Sequence, residues 1–275
     1  DREVRQASRK DELESAAGAD SGDAESQPEI EHHDAASQLP EAFQVVARSP
    51  KGLRFFLNDI ILITAMIVIP AINETSFSEI EKKIKTASEF GAEWVHLDVS
   101  DGKFTANLLW NNPDDLPGVM DQVLGVSVEV HLMVENPEQV VADWIDAGVK
   151  RIIVHAEAVG DLESLASLCA KDSVELFVAG NPDTPVGKFL ENNVGSFLVL
   201  AVNPGKAGQK FGENQLEKIK LLRAQVPDAK IIVDGGVNLE NASQIKNAGA
   251  DMLVAASAIW GSADPAEAYS KLVNL

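Results

Sequence analysis

The chain has 275 residues, 45% of them apolar, and a formal net charge of −20. That acidity excludes general nucleic-acid binding, which needs a basic face for phosphate, and adhesion to an anionic membrane. A single cysteine, Cys169, excludes an intrachain disulfide framework and reads as a structural thiol in a reducing, cytoplasmic setting.

Residues 11–40 contain no Lys or Arg and are crowded with Asp, Glu, Ser, Gly and Ala. Such a segment buries too little apolar surface to offset its ordering entropy, so residues 1–65 are expected to form an acidic, disordered extension or linker. His32 and His33 fall within it, and a short amphipathic helix is conceivable in EAFQVVARSPKGLRFFL. The greasy run Ile60–Ile72 is shorter than the roughly 20 residues of a membrane helix and carries Pro70. No basic start, apolar stretch and cleavage site open the chain as in a secretory signal, and a soluble protein is expected.

From Met66 onward, short aliphatic runs alternate with amphipathic stretches. MIVIP precedes FSEIEKKIKTASEFG, WVHLDV precedes PDDLPGVMDQVLG, and VSVEVHLMV precedes PEQVVADWIDAG. RIIVHAE, VELFVAG, SFLVLAV, KIIVDGG and DMLVAAS continue the strand series. Gly91, Gly148 and Gly249 each stop a helical stretch before a strand. Eight strand–helix units predict an α/β fold, a (β/α)8 TIM barrel, over residues 66–275.

Chemistry in such a barrel belongs at the C-terminal strand ends. His96 and Asp98, two apart on one strand, share a face. His131 ends the third strand and Asp234 the seventh. Two imidazoles and two carboxylates suit one divalent ion, with Zn²⁺ first and Fe²⁺, Mn²⁺ or Co²⁺ as alternatives. Singly, each is more often a hydrogen-bonded structural His or a helix-capping Asp; jointly, four such coincidences at one barrel end favour a metal site. His155 is a fifth candidate, as a substrate neighbour, though more readily structural. Small-residue loops follow the last strands: Gly205, Lys206, Ala207 and Gly208, then Gly235 and Gly236, then Ala256 and Ser257. Backbone N–H groups converging there form a phosphate cradle, to which Lys206 could add charge.

The motifs VHLDVSDGKFTAN, EVHLMVENPEQ, AVNPGKAGQKF and VDGGVNLENASQIKNAGAD, followed by ASAIWG, resemble the ribulose-phosphate 3-epimerase family from about residue 66 to 275. The resemblance implies that His96, Asp98, His131 and Asp234 ligate the metal. It makes Asp98 and Asp234 the acid/base pair for epimerising C3 of a sugar phosphate, D-ribulose 5-phosphate to D-xylulose 5-phosphate or a related ketose. It also implies a homo-oligomer, dimeric or hexameric. The substrate-facing shell departs from the family. Pro70-Ala71-Ile72-Asn73 stands for Pro-Ser-Ile-Leu, Ser100 for methionine, Lys206-Ala207 for Phe-Gly within the loop, Asn111–Pro113 for Gly-Pro, and Ala256-Ser257 for Gly-Ser. A shifted substrate preference, such as a ketohexose 6-phosphate, or a non-catalytic sugar-phosphate-binding relic, is the alternative. Decarboxylases sharing this barrel carry Asp-x-Lys-x-x-Asp. The stretch His96-Leu97-Asp98-Val99-Ser100-Asp101 has no lysine.

Overall fold

The computed structural model describes residues 66–191 and 194–275. The expectations for residues 1–65 lie outside the described residues. Eight strands follow one another as β1 (Ile67–Ile72), β2 (Trp94–Ser100), β3 (Ser127–Met133), β4 (Arg151–His155), β5 (Glu175–Gly180), β6 (Ser196–Leu200), β7 (Lys230–Asp234) and β8 (Met252–Ala255). All pair in parallel in sequence order, and β1 also pairs with β8, closing the barrel. The predicted TIM barrel is the observed fold.

The strands are buried on both faces, as parallel strands under helices must be, and the period of two divides them. Val95, Leu97 and Val99 of β2, with Val128, Val130 and Leu132 of β3, pack outward against the helices. Ile69, Ala71, Ile153, Phe177, Leu198, Leu200, Ile232 and Val254 fill the interior. His96 and Asp98 alternate with the outward set and so point inward, as do His131 and His155.

The covering helices are α1 (Phe77–Glu89), α2 (Leu116–Met120), α3 (Val141–Asp146), α4 (Leu162–Lys171), α5 (Val186–Leu190), α6 (Gln215–Gln225), α7 (Ala242–Ala248), α8 (Ser257–Trp260) and α9 (Pro265–Val273). Gly91, Gly148 and Gly249 take positive φ where α1, α3 and α7 finish. Proline starts two stretches as 3-10 turns, Pro113–Asp115 and Pro137–Gln139, so α2 and α3 are shorter than the amphipathic segments that announce them. Cys169 is buried on α4, and burial pushes its thiol up to about 11, fitting a structural thiol. No helix among the described residues is long and apolar enough to cross a membrane.

Candidate active site

Register brings the four residues together, although only Asp234 ends its strand: β2 runs on past His96 and Asp98 to Ser100, and β3 past His131 to Met133. Asp98 of β2 pairs with His131 of β3 across the ladder, and Asp234 ends β7 opposite Leu200 of β6. The candidate ligand atoms of His96, Asp98, His131 and Asp234 lie within 4.8 Å of one another. His131 Nδ1 stands 3.1 Å from Asp98 Oδ1 and 3.9 Å from Asp234 Oδ2. His96 Nε2 stands 3.3 Å from Asp98 Oδ1 and 4.0 Å from Asp234 Oδ2. Those spacings allow ionic attraction, yet His96 Nε2 is buried without a hydrogen-bond partner. A buried ring nitrogen left facing two carboxylates fits a metal ligand, since an orphaned polar atom otherwise costs free energy. The four groups could therefore hold a divalent metal.

Each imidazole is held from behind. The far nitrogen of His96, Nδ1, lies 2.6 Å from Glu129 Oε1. His131 Nε2 lies 2.8 Å from His155 Nε2, and His155 Nδ1 lies 3.2 Å from Glu157 Oε2. If His131 Nδ1 keeps its lone pair, its Nε2–H donates to His155, whose Nδ1–H donates to Glu157. Asn181 N–H, at 2.9 Å, and the Thr184 hydroxyl fix the other oxygen of that carboxylate. His155 thus stacks behind His131, with ring centroids 5.0 Å apart, and does not line the cavity.

The two aspartates are driven in opposite directions. Burial raises the Asp98 carboxyl, but hydrogen bonds and charge from His131 and His96 overcome it and hold Asp98 well below the carboxylate range. Asp234 is pushed up to about 7 by burial and by the negative charges of Asp98 and Glu129, partly opposed by His96. A divalent charge among the four groups would draw Asp234 back down. Burial lowers His131, whereas Asp98 and Glu129 outweigh burial at His96 and raise it.

The cavity at this cluster is lined by Ala71, Asn73, Asp98, His131 and Asp234. Gly205, Lys206, Ala207, Gly208, Gly235, Gly236, Ala256 and Ser257 line the same cavity, so all the phosphate candidates converge. Ser257 opens the four-residue helix α8, too short to have been read from sequence. Gly236 has φ +69°, and a Cβ there would overlap the backbone nitrogen of Phe211. Gly236→Ala is expected to destabilise the fold by about 2 kcal/mol or more, visible as a lower Tm; an unchanged melt would contradict this packing.

Two of the changed shell residues, Ser100 and Asn73, have structural partners. Ser100 is buried, and its hydroxyl donates to the Asn107 carbonyl at 2.6 Å, tying down the loop after β2. Thr105 of that loop donates to the Pro204 carbonyl at 3.2 Å, linking it to the loop after β6. Asn73 Nδ2 donates to Asp98 Oδ2 at 2.9 Å, the oxygen turned away from the imidazoles. In the sequence Asn73 stands only as a departure from leucine. Glu129 carries a signal that was not used: one acid in the apolar run VSVEVHLM, two before His131, points into the barrel.

A sequence profile described as the ribulose-phosphate 3 epimerase family matches residues 67–260. The chain belongs to the ribulose-phosphate 3-epimerase family, a family of carbohydrate isomerases. It is 36% identical to the chloroplastic ribulose-5-phosphate-3-epimerase of Arabidopsis thaliana, over 82% of this chain and 80% of that protein. It is 35% identical to the ribulose-phosphate 3-epimerase of Bacillus subtilis, over 74% of this chain and 97% of that protein. Among solved structures, 3-hexulose-6-phosphate synthase from Salmonella typhimurium superposes with a TM-score of 0.60 at 17% identity. That match covers 76% of this chain and 97% of the other, a likeness of fold alone.

Proposed function

We propose that the chain epimerises C3 of a ketose phosphate, D-ribulose 5-phosphate to D-xylulose 5-phosphate, using Asp98 and Asp234 as the two proton-transfer groups. The observation that carries this reading is the pair of carboxylates, Asp98 and Asp234, facing one cavity beside the two buried imidazoles of His96 and His131. Inverting a carbon beside a ketone needs a base on one face and an acid on the other. Ionised Asp98 takes the C3 proton, leaving an enediolate, and Asp234 delivers a proton to the opposite face; the reverse reaction exchanges their roles.

His96, Asp98, His131 and Asp234 would hold one divalent cation, Zn²⁺ being the first choice for this ligand set, with Fe²⁺, Mn²⁺ and Co²⁺ as alternatives. When bound, that ion supplies Lewis-acid stabilisation of negative charge on the substrate's C2 and C3 oxygens. Backbone N–H groups of Gly205–Gly208, Gly235, Gly236, Ala256 and Ser257 take the phosphate, and Lys206 adds its charge. The proposed residues all fall within the predicted barrel domain, 66–275. The same reading includes a homo-oligomer in a reducing, cytoplasmic compartment.

A second ketose phosphate is favoured by one observation: Ala71 and Ala256 leave the cavity wall without hydroxyl or glycine where the family carries them. Zn²⁺-loaded protein should be assayed against a panel of ketopentose and ketohexose phosphates. Conversion of ribulose 5-phosphate to xylulose 5-phosphate, faster than any other, is expected. Folded, loaded protein that converts none of them would sink the enzymatic reading, and preference for a ketohexose 6-phosphate would replace the substrate.

A further inference from the structure

Beneath the ligand cluster, a row of charges that the proposed reaction does not use runs on from His96. His96, Glu129, Arg151 and Glu175 are successive ladder partners on β2, β3, β4 and β5, so register sets them side by side inside the barrel. Glu129 is fully buried and Arg151 only 4% exposed. Glu129 Oε1 meets His96 Nδ1 at 2.6 Å, and its other oxygen accepts from Arg151 Nη1. Arg151 donates through Nε to Glu175 at 2.8 Å, and Lys230 pairs with the remaining oxygen of Glu175 at the barrel's N-terminal end. The guanidinium also lies over the rings of Trp94 and Phe177, 4.2 and 4.7 Å from their centroids.

A buried ion pair usually costs more in desolvation than it returns, so apolar side chains of equal volume would serve packing as well or better. What apolar residues cannot do is decide which nitrogen of His96 carries a proton. We infer that Arg151 and Glu129 are positioning residues for the metal: Arg151 fixes the orientation of the Glu129 side chain. Glu129 accepts the Nδ1–H of His96, and this fixes the ring with Nε2 facing the space between Asp98 and Asp234, where it would ligate the ion. Partners of this kind orient a ligating imidazole and raise its basicity, and their loss typically weakens metal binding about 10–100-fold. Arg151 suits the task because its planar fork serves Glu129 and Glu175 at once. The inference rests on the reading that the four-residue cluster binds a divalent ion.

The test is Zn²⁺ affinity, by competition with a chromophoric chelator, for wild type, Glu129→Gln, Arg151→Met and the double variant. Glu129→Gln is expected to lose about 10–100-fold in Zn²⁺ affinity and the protected, downfield Nδ1–H resonance of His96 in the Zn²⁺-loaded protein. Arg151→Met should also weaken binding, and the double variant should bind no more weakly than Glu129→Gln alone, because Arg151 acts through Glu129. A folded Glu129→Gln with wild-type affinity would overturn the inference, and so would strictly additive losses. Should Glu129→Gln fail to fold, wild-type affinity in Arg151→Met would overturn it equally. Wild-type protein that takes up no Zn²⁺, Mn²⁺, Fe²⁺ or Co²⁺ would instead remove the metal reading beneath it.

Discussion

Replacing either Asp98 or Asp234 by Asn should lower kcat for epimerisation by at least about 10³-fold, because each proton transfer loses its donor or acceptor. The substitution keeps volume and some hydrogen bonding, so the barrel should persist in both. Stability of the metal-free protein should move in opposite directions. Asp98 is held low by His131 and His96, so its ionised form stabilises the fold above the normal carboxylate range, and Asp98→Asn forfeits this. Asp234 is raised to about 7, so its folded form gains protons relative to the unfolded chain. Its contribution therefore falls as pH rises from about 4 to 7 and remains unfavourable above. Asp234→Asn should melt higher than wild type at pH 8 while being inactive, as expected where function is kept at the expense of stability. Wild-type turnover in either variant, measured by coupled xylulose 5-phosphate formation, would eliminate the two-carboxylate mechanism.

Metal removal should be as damaging. Chelator-stripped protein is expected to lose essentially all turnover and to regain it on addition of Zn²⁺ or another divalent ion from the same set. His131→Ala removes a nitrogen 3.1 Å from Asp98 Oδ1 and also leaves His155 Nε2 without its donor. Its metal affinity should fall by more than about 100-fold, beyond the effect of losing a residue that only orients a ligand. Unchanged affinity and stoichiometry by elemental analysis and competition would show that His131 does not ligate.

Much of this was legible along the chain because its causes are local. The alternation of aliphatic runs with amphipathic stretches predicts each strand of the barrel, and polar residues within those strands mark His96, Asp98, His131 and Asp234. The small-residue loops after β6, β7 and β8 were likewise visible, and they meet at one cavity. Cross-strand register was not visible. The row His96, Glu129, Arg151 and Glu175 draws one residue from each of four strands spread over about eighty positions, and nothing near Arg151 in VKRIIVHAE announces its partner. Asn73 was hidden for a related reason: its amide reaches Asp98, twenty-five residues on. Helix α8 is four residues long, below the length at which periodicity carries a signal.

The central claim, a metal-dependent two-carboxylate epimerase at the barrel mouth, is tested most directly by C3-proton exchange in D₂O. Zn²⁺-loaded protein and D-ribulose 5-phosphate should yield xylulose 5-phosphate carrying solvent deuterium at C3, and stripped protein should yield none. Absence of deuterium at C3 in both ketoses, with folded and metal-loaded protein, would contradict the account.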